Sequence, residues 1–192
     1  MARVREFDTE AALEAAMVVF RRRGYEGSSL QELVDATGVG RGSLYAAFGS
    51  KDGLYRAVLD RYREQQAIPL IELLHSGAPV RELVRGILVD LVDVIVREGR
   101  DQNCLIVTAA TERVAHDPEV AARIEATTAS LEDALTEVIT AAQAGGELSG
   151  DDPRGLARFV LTTIHGLRVM GAINPDRRYL MTVVEAALVA LR

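Results

Sequence analysis

The sequence contains a single cysteine, a single lysine and no tryptophan, and it has no long uninterrupted apolar run. With Cys104 alone, the chain has no intramolecular disulfide framework and no zinc site built from several cysteines. No stretch approaches the roughly 20 consecutive apolar residues of a membrane span, and the first residues lack the apolar region of a signal peptide. We therefore expect a cytoplasmic protein with no membrane partner, no metal and no other cofactor.

Recognisable catalytic signatures are also missing. The sequence has no H-E-x-x-H pattern, no nucleophile elbow and no P-loop, and its three histidines are scattered. Asp90 and Asp93 share one helical stripe with Glu82 and Arg97, which indicates a solvated face rather than a pair of catalytic carboxylates. The sequence therefore predicts a protein that is not an enzyme.

Helical periodicity runs through almost the whole chain, and no window shows the period-2 alternation of a half-buried strand. About half of the residues are hydrophobic (48%) and about a quarter are charged (26%), which is typical of a soluble globular protein. Glycine and proline divide the periodic segments. We predict an all-α fold with helices over residues 8–23, 28–37, 40–46, 50–68, 80–98, 104–115, 118–144, 153–170 and 176–191.

Charge is distributed unevenly along the chain. Residues 1–63 carry ten Lys and Arg against nine Asp and Glu, whereas residues 64–192 carry twelve against nineteen, and the net charge is −6. A phosphate backbone responds to the local field and not to the net charge. The acidic total is therefore compatible with a nucleic-acid partner at the N-terminal end.

The stretch from Ser28 to Lys51 has the pattern of a helix-turn-helix, because two short helices joined by a glycine-containing turn follow a longer helix. Ser28 is expected to cap the second helix, with Gln31 at capping-box spacing. Gly38 is expected to take the positive φ that the turn requires. Phe48 is expected to pack in the core. Apolar side chains that can hold the two helices together are Leu30, Leu33, Val34, Val39 and Leu44.

This stretch resembles the DNA-binding domain of the TetR family of bacterial regulators. The matching residues are Ser29, Leu33, Ala36, Gly38, Val39, Gly42, Leu44, Tyr45, Phe48, Ser50, Lys51 and Leu54. Upstream, Phe20 to Tyr25 is similar to the F-x-x-x-G-Y that ends the family's first helix. The resemblance implies a three-helix DNA-binding domain over residues 1–50, a connecting helix and linker over 51–78, and a larger helical domain for ligand binding and dimerisation over 79–192.

The resemblance also implies which residues meet double-stranded operator DNA. It places Arg41, Ser43 and Tyr45 in or beside the major groove, with Gly42 allowing close approach of the backbone, and it includes Gly40 among the DNA-binding positions. Phosphate contacts are implied for Ser28, Ser29, Gln31 and Lys51. The sequence departs from the family pattern at Gly40, where a serine is usual, and at Ala46 and Ala47, so more of the discrimination is expected to rest on Arg41.

The last two helices have apolar faces and small residues, which favours a four-helix homodimer interface. The interface residues predicted from the sequence are Leu156, Phe159, Val160, Thr163, Ile164, Leu167, Leu180, Val183, Val184, Ala187 and Leu188.

A pocket for a small, mostly apolar effector is predicted in the C-terminal part of the chain. Its predicted lining is Leu91, Cys104, Val107, Thr108, Thr111 and His165. The function predicted from the sequence is a ligand-released repressor that binds a palindromic operator as a homodimer. The alternative is an architectural DNA-binding protein that senses no ligand.

Overall fold

The computed structural model describes residues 7–99, 104–150 and 152–192, and within these ranges it contains helices and no strand. The helices, in chain order, are α1 Thr9–Arg23, α2 Leu30–Thr37, α3 Arg41–Phe48, α4 Lys51–Tyr62, α5 Ile68–Leu74, α6 Val80–Glu98, α7 Leu105–Glu112, α8 Pro118–Ala144, α9 Pro153–Ile173 and α10 Arg177–Val189. A π-helical segment, Arg63–Ala67, joins α4 to α5. The all-α prediction is confirmed.

The start of α2 lies one residue later than the sequence predicts. Ser29, and not Ser28, is the N-cap, and Glu32, and not Gln31, completes the capping box. The Ser29 hydroxyl accepts from the Glu32 amide at 3.1 Å, and the Glu32 carboxylate accepts from the Ser29 amide at 2.8 Å. Because Ser28 instead donates its hydroxyl proton to the Gly24 carbonyl, its side chain is not available as a cap.

Pro69 does not interrupt the helical path. It lies in the first turn of α5, directly after the π-helical segment, and proline is tolerated in the first turn of a helix. The π-helical segment lies immediately before α5 and links it to α4 without a non-helical residue between them. The chain is therefore helical from Lys51 to Leu74, although its regular α-helix is interrupted once.

The chain divides into two compact units that differ from the domains predicted from the sequence. The N-terminal unit comprises residues 7–65 and 104–125, and the C-terminal unit comprises residues 66–99, 126–150 and 152–192. The whole of α4 and α7 thus belongs with the helix-turn-helix. The sequence prediction placed α4 in a connector and α7 in the C-terminal domain, because periodicity does not reveal which distant segments share a core.

The core of the N-terminal unit is built on aromatic residues. Phe20 and Tyr55 are completely buried, and their rings meet edge to face with centroids 4.8 Å apart. The Tyr25 ring lies 5.0 Å from that of Tyr55. Phe48 packs against this core, as predicted. Fully burying one such side chain stabilises a fold by about 1.5–3 kcal/mol. The N-cap residue of α7, α7 itself and early α8 complete the same core with Cys104, Leu105, Ala109, Val120 and Ile124.

The core of the C-terminal unit lies between α6, α9, α10 and the later part of α8. Gly171 permits close packing of α9 on α6, because a Cβ atom at this position would overlap the Cγ2 methyl of Ile95. By length and composition alone, α9 could also span a membrane, with a mean hydropathy of 1.3. However, Val160, Ile164 and Leu167 of this helix are core residues of the unit.

Candidate nucleic-acid interface

The turn between α2 and α3 has the geometry that the sequence predicts. Gly38 adopts a left-handed conformation with φ of 66° and donates its amide proton to the Val34 carbonyl at 3.0 Å. The Thr37 hydroxyl accepts from the Val39 amide at 3.2 Å. Leu33 and Leu44, one on each helix, are buried. These contacts fix the direction in which α3 leaves the turn.

The outer side of α3 is open and carries few side chains. Arg41 is exposed, and its guanidinium carbon lies 5.3 Å from the centroid of the half-buried Tyr45 ring. Ser43 is half-buried. A Cβ atom added to Gly40 or Gly42 would meet nothing within 4 Å, so a ligand can approach the backbone there. Gly40 supplies no side-chain cap to α3, which leaves the first amides of the helix available to an acceptor.

The residues predicted to contact phosphate at the start of α2 have different surroundings. Ser28 is only 3% exposed and its hydroxyl is used internally, so its side chain is not presented for a phosphate contact. Ser29 is exposed and caps the helix. Gln31 is also exposed, and its amide donates to the Asp35 carboxylate at 2.8 Å. Hydrogen bonds with the Ser29 amide and hydroxyl lower the pKa of Glu32, so a carboxylate stands within the first turn of α2.

Lys51 is half-buried and already bound within the protein. Its Nζ atom donates to the Tyr25 carbonyl at 2.6 Å and lies 4.2 Å from the centroid of the Tyr25 ring. Burial lowers the pKa of the ammonium group. Lys51 therefore holds the loop between α1 and α2 against the start of α4. A phosphate contact would be an additional role for the Lys51 ammonium, which already binds the Tyr25 carbonyl.

A cluster of charged side chains surrounds Tyr25 in the N-terminal unit, and sequence reasoning did not find it. The Tyr25 hydroxyl donates to Asp52 at 2.5 Å, and burial together with this bond raises the pKa of Tyr25 to about 12. The Arg113 guanidinium lies over the same ring, 4.1 Å from its centroid, and donates to Asp52 at 3.2 Å. Glu112 accepts from the Tyr25 amide at 2.6 Å. No local pattern could reveal contacts between residues 87 positions apart.

Asp117 extends this cluster to the start of α8. Its carboxylate accepts from the amides of Glu119 and Val120 at 3.0 and 3.1 Å, and from the guanidinium groups of Arg56 and Arg113 at 3.1 and 3.3 Å. Burial opposes ionisation of this carboxyl, but the Val120 amide and the two guanidinium groups outweigh it and lower its pKa from 3.8 to about 2. Asp117 is therefore a charged cap that joins α4, α7 and α8.

The structure divides the predicted effector-pocket residues between the two units. Leu91 is a core residue of the C-terminal unit, which also contains the half-buried His165. Cys104 is buried in the N-terminal unit, 3.6 Å from the Tyr62 hydroxyl. The hydroxyls of Thr108 and Thr111 donate to carbonyls one turn back in the chain, at 3.0 and 3.1 Å, and Thr111 is exposed. Val107 is half-buried. These threonines are thus less available to an effector than their spacing predicts.

Most of the predicted interface residues on α9 and α10 lie inside the C-terminal unit. Their side chains pack in the protomer's own core because they occupy the inner faces of both helices. The core residues in question are Val160, Ile164, Leu167, Leu180, Val184, Ala187 and Leu188. Leu156 and Val183 are partly buried against the same core, Thr163 is half-buried, and Phe159 is 42% exposed. The spacing identified the apolar stripes but not which side of each helix they face.

A different stripe is exposed on each of these two helices. On α9 it comprises Phe159, Thr162, Gly166, Val169 and Ile173, and on α10 it comprises Tyr179, Thr182, Ala186 and Val189. We call these two sets the outer stripes. Their alternating three- and four-residue spacing matches that of helices that pack side by side. Val169 and Ile173 are 45% and 61% exposed, so large apolar side chains are uncovered in the protomer.

Comparison with known protein families gives two matches that follow one another along the chain. Residues 12–58 match the model of bacterial regulatory proteins of the tetR family. Residues 79–191 match the model of the C-terminal region of BetI-type transcriptional repressors. The first match covers the helix-turn-helix described above, and the second covers α6 to α10.

Similar individual proteins are also known. The chain is 34% identical over its full length to the full length of the uncharacterised HTH-type transcriptional regulator YezE of Bacillus subtilis (strain 168). It is 29% identical to the HTH-type transcriptional repressor ComR of Escherichia coli (strain K12), over 97% of this chain and 90% of that protein. A cysteine mutant of the TetR family regulator CifR, complexed with 26-bp double-strand operator DNA, is 36% identical, with a TM-score of 0.86 over 98% of this chain and 99% of that one.

Proposed function

Since the chain belongs to the TetR family of bacterial regulatory proteins and is a transcriptional regulator that binds operator DNA, we propose that it is a homodimeric, cytoplasmic repressor released from a palindromic operator by a small apolar effector. The observation that carries this proposal is the open outer side of α3. Arg41, Ser43 and Tyr45 lie there, next to the exposed backbone of two glycines. A major groove admits such a helix, and an arginine there can bond a guanine edge with two hydrogen bonds.

Two further observations support the repressor and dimer parts of the proposal. The C-terminal region matches that of BetI-type repressors, and the relative ComR is named a repressor. The outer stripes of α9 and α10 leave Phe159, Val169 and Ile173 uncovered, which is unfavourable unless another surface covers them. A second copy of this chain would cover them with the same two helices in a two-fold arrangement.

Selection of DNA by the full-length protein tests the proposal directly. A library of random-sequence duplexes is passed over the protein through several rounds, and the recovered duplexes are sequenced. We expect a palindrome whose half-sites are centred about 34–36 Å apart, because two recognition helices then enter successive major grooves on one side of the DNA. Recovery of all sequences equally would contradict the proposal and would favour the architectural alternative.

The effector part requires a separate measurement. Small apolar compounds are screened for a rise in the melting temperature of the protein, since a compound that binds only the folded state stabilises it. A compound so identified is then titrated into the complex of the protein with the selected duplex. Release of the duplex is the expected result. Compounds that stabilise the protein without changing its DNA affinity would contradict ligand release.

A further inference from the structure

The last residue of α7 binds the backbone of the loop between α1 and α2. The Glu112 carboxylate accepts from the Tyr25 amide at 2.6 Å and from the Glu26 amide at 3.3 Å. Gly24 has a φ of 71°, and a Cβ atom there would overlap the same carboxylate. Successive amides beside a residue with positive φ form a concave site for an anion. In this protein the anion is a side chain of the protein itself.

The next residue, Arg113, holds the start of α4. Its guanidinium donates to Asp52 at 3.2 Å and lies over the ring of Tyr25, whose hydroxyl donates to the same carboxylate at 2.5 Å. It also pairs with Glu26 at 3.4 Å. The side chain of Arg113 is only 16% exposed.

These two contacts lie on either side of the helix-turn-helix in sequence. Residues 24–26 immediately precede α2, and Lys51 and Asp52 immediately follow the turn after α3. Both ends of the segment that contains α2 and α3 are therefore bound by two consecutive residues about 60 or more positions away. Since a displacement of about 1 Å is enough to break a hydrogen bond to a base edge, a segment fixed at both ends favours specific binding.

We propose that Glu112 and Arg113 are positioning residues for operator recognition, which set the affinity for the specific site without touching DNA. The proposal rests on the proposed function, because it presumes a specific site. It assigns to the end of α7 a role that the sequence does not indicate. It also implies that any event that withdraws Glu112 from the Gly24 turn weakens specific binding.

The first experiment compares Glu112→Ala and Arg113→Ala with the control Glu125→Ala, which removes an exposed carboxylate from α8 of the same unit. The probe is the duplex that the unmodified protein selects from random DNA, with a scrambled duplex of equal length beside it, and affinity is measured by fluorescence anisotropy at several salt concentrations. We expect Glu112→Ala and Arg113→Ala to bind the selected duplex at least tenfold more weakly. Binding of the scrambled duplex should change less than threefold, and Glu125→Ala should change neither.

Two readouts separate positioning from other roles. A residue that contacts phosphate changes the dependence of log K on log salt by about one, whereas a positioning residue leaves that slope unchanged. Arg113→Lys should recover part of the affinity, since an ammonium can still pair with Asp52, although it cannot bond in the forked geometry of a guanidinium. A reduced slope, or equal losses on the selected and scrambled duplexes, would overturn the proposal.

A double-mutant cycle keeps the proposal testable if either alanine variant folds poorly, with Glu112→Ser, whose side chain is too short to reach the Gly24 turn, then replacing Glu112→Ala. Gly24→Ala introduces backbone strain in every background, but it displaces the carboxylate only where Glu112 is present. We expect Gly24→Ala to weaken specific binding at least fivefold more in the unmodified protein than in the Glu112 variant. Hydrogen exchange at the Tyr25 and Glu26 amides should accelerate in both single variants. Additive losses, or unchanged exchange, would overturn the proposal.

A failure of the proposed function gives a different result. If the unmodified protein selects no sequence, the repressor proposal fails before any variant is made. If it selects a palindrome and the variants at 112 and 113 bind that palindrome as well as the control does, the positioning proposal alone is overturned.

Discussion

At the scale of single residues, Arg41 and Lys51 differ in their surroundings although both are basic residues of the helix-turn-helix. Arg41 is exposed at the first position of α3, and its guanidinium lies over the Tyr45 ring of the same helix. Lys51 is bound to the Tyr25 carbonyl. Removal of each side chain is therefore expected to affect DNA binding in a different way.

Arg41→Ala is expected to cost about 1–3 kcal/mol of specific binding and to relax the preference at one position of the selected palindrome, because a base contact is lost. Lys51→Ala is expected to weaken binding to all sequences, because it removes a positive charge beside the start of α4. Anisotropy on the selected duplex and on its single-base variants measures both effects. Equal, sequence-independent losses from the two substitutions would contradict the assignment of Arg41 to a base.

Asp117 gives a prediction for stability at low pH. Its pKa is lower in the folded protein than in the unfolded chain, so the unfolded chain binds more protons between about pH 4 and pH 2. The stabilisation by this carboxylate is complete above about pH 4 and is lost as the pH falls towards 2. Asp117→Asn should cost about 1–3 kcal/mol at pH 7 and much less at pH 2, since charged hydrogen bonds to Arg56 and Arg113 are lost.

Urea unfolding at a series of pH values measures this difference. The exposed Asp90→Asn provides the control for the loss of one carboxylate. If the free energies of unfolding of Asp117→Asn and of the unmodified protein differ by the same amount at pH 7 and pH 2, the charge of Asp117 is not what stabilises the junction of α4, α7 and α8.

At the scale of helices, two glycines within regular helix should respond to alanine in opposite directions. Gly86 is exposed in α6, and a Cβ atom there meets nothing within 4 Å, so Gly86→Ala should stabilise the protein by about 0.5–1 kcal/mol. Gly171→Ala should destabilise it by about 1–3 kcal/mol, because the new methyl overlaps the Cγ2 atom of Ile95, which its β-branched side chain cannot readily move.

Thermal and urea unfolding of the two variants measure these changes. In an Ile95→Ala background the overlap disappears, and the cost of Gly171→Ala should fall with it. A destabilisation of equal size in both backgrounds would show that packing against α6 is not the reason for glycine at 171.

The sequence predicts helix limits correctly where they depend on nearby residues, such as capping residues and the spacing of apolar side chains. The limits of α6 and α8 agree with the periodicity, and Gly38, Ser50 and Asp176 end or cap helices as their chemistry indicates. The cap of α2 was displaced by one residue, because Ser28 and Ser29 are chemically equivalent caps and only the hydrogen bond of Ser28 to Gly24 distinguishes them.

The candidate site could be predicted only in part, because only some of its residues belong to a local sequence pattern. Arg41, Ser43 and Tyr45 follow from a local pattern on α3. In contrast, Glu112 and Arg113 meet the loop at Tyr25 through the tertiary fold, and neither their spacing nor their residue type indicates it. Both the inner and the outer faces of α9 and α10 carry apolar side chains, so periodicity alone does not say which face the protomer's own core covers.

At the scale of the whole molecule, the outer stripes predict how the protomers associate. Gly166 lies exposed within the outer stripe of α9, and a Cβ atom there meets nothing within 4 Å of the same chain. Gly166→Arg should therefore leave the protomer folded but prevent close approach of a second α9 at this position. We expect a monomer by light scattering, with loss of binding to the selected palindrome.

Gly86→Arg is the matched control, because it places the same side chain on an equally open helical glycine outside the outer stripes. It should remain a dimer with unchanged DNA affinity. A dimeric Gly166→Arg variant would show that the stripes of α9 and α10 are not the interface. Substitutions at Ile164 or Val184 are unsuitable for this test, since both side chains belong to the protomer's own core.

The division of the N-terminal unit into two chain segments has a consequence during protein synthesis. A nascent chain that has released only its first 65 residues lacks Leu105, Ala109 and Val120, and so cannot complete the core on which the helix-turn-helix rests. At about 5–20 residues per second, the ribosome needs roughly 3–12 s more to supply the segment that ends near residue 125. Prematurely terminated chains therefore carry the recognition sequence without its full supporting core, and they should compete poorly with the complete regulator for its operator.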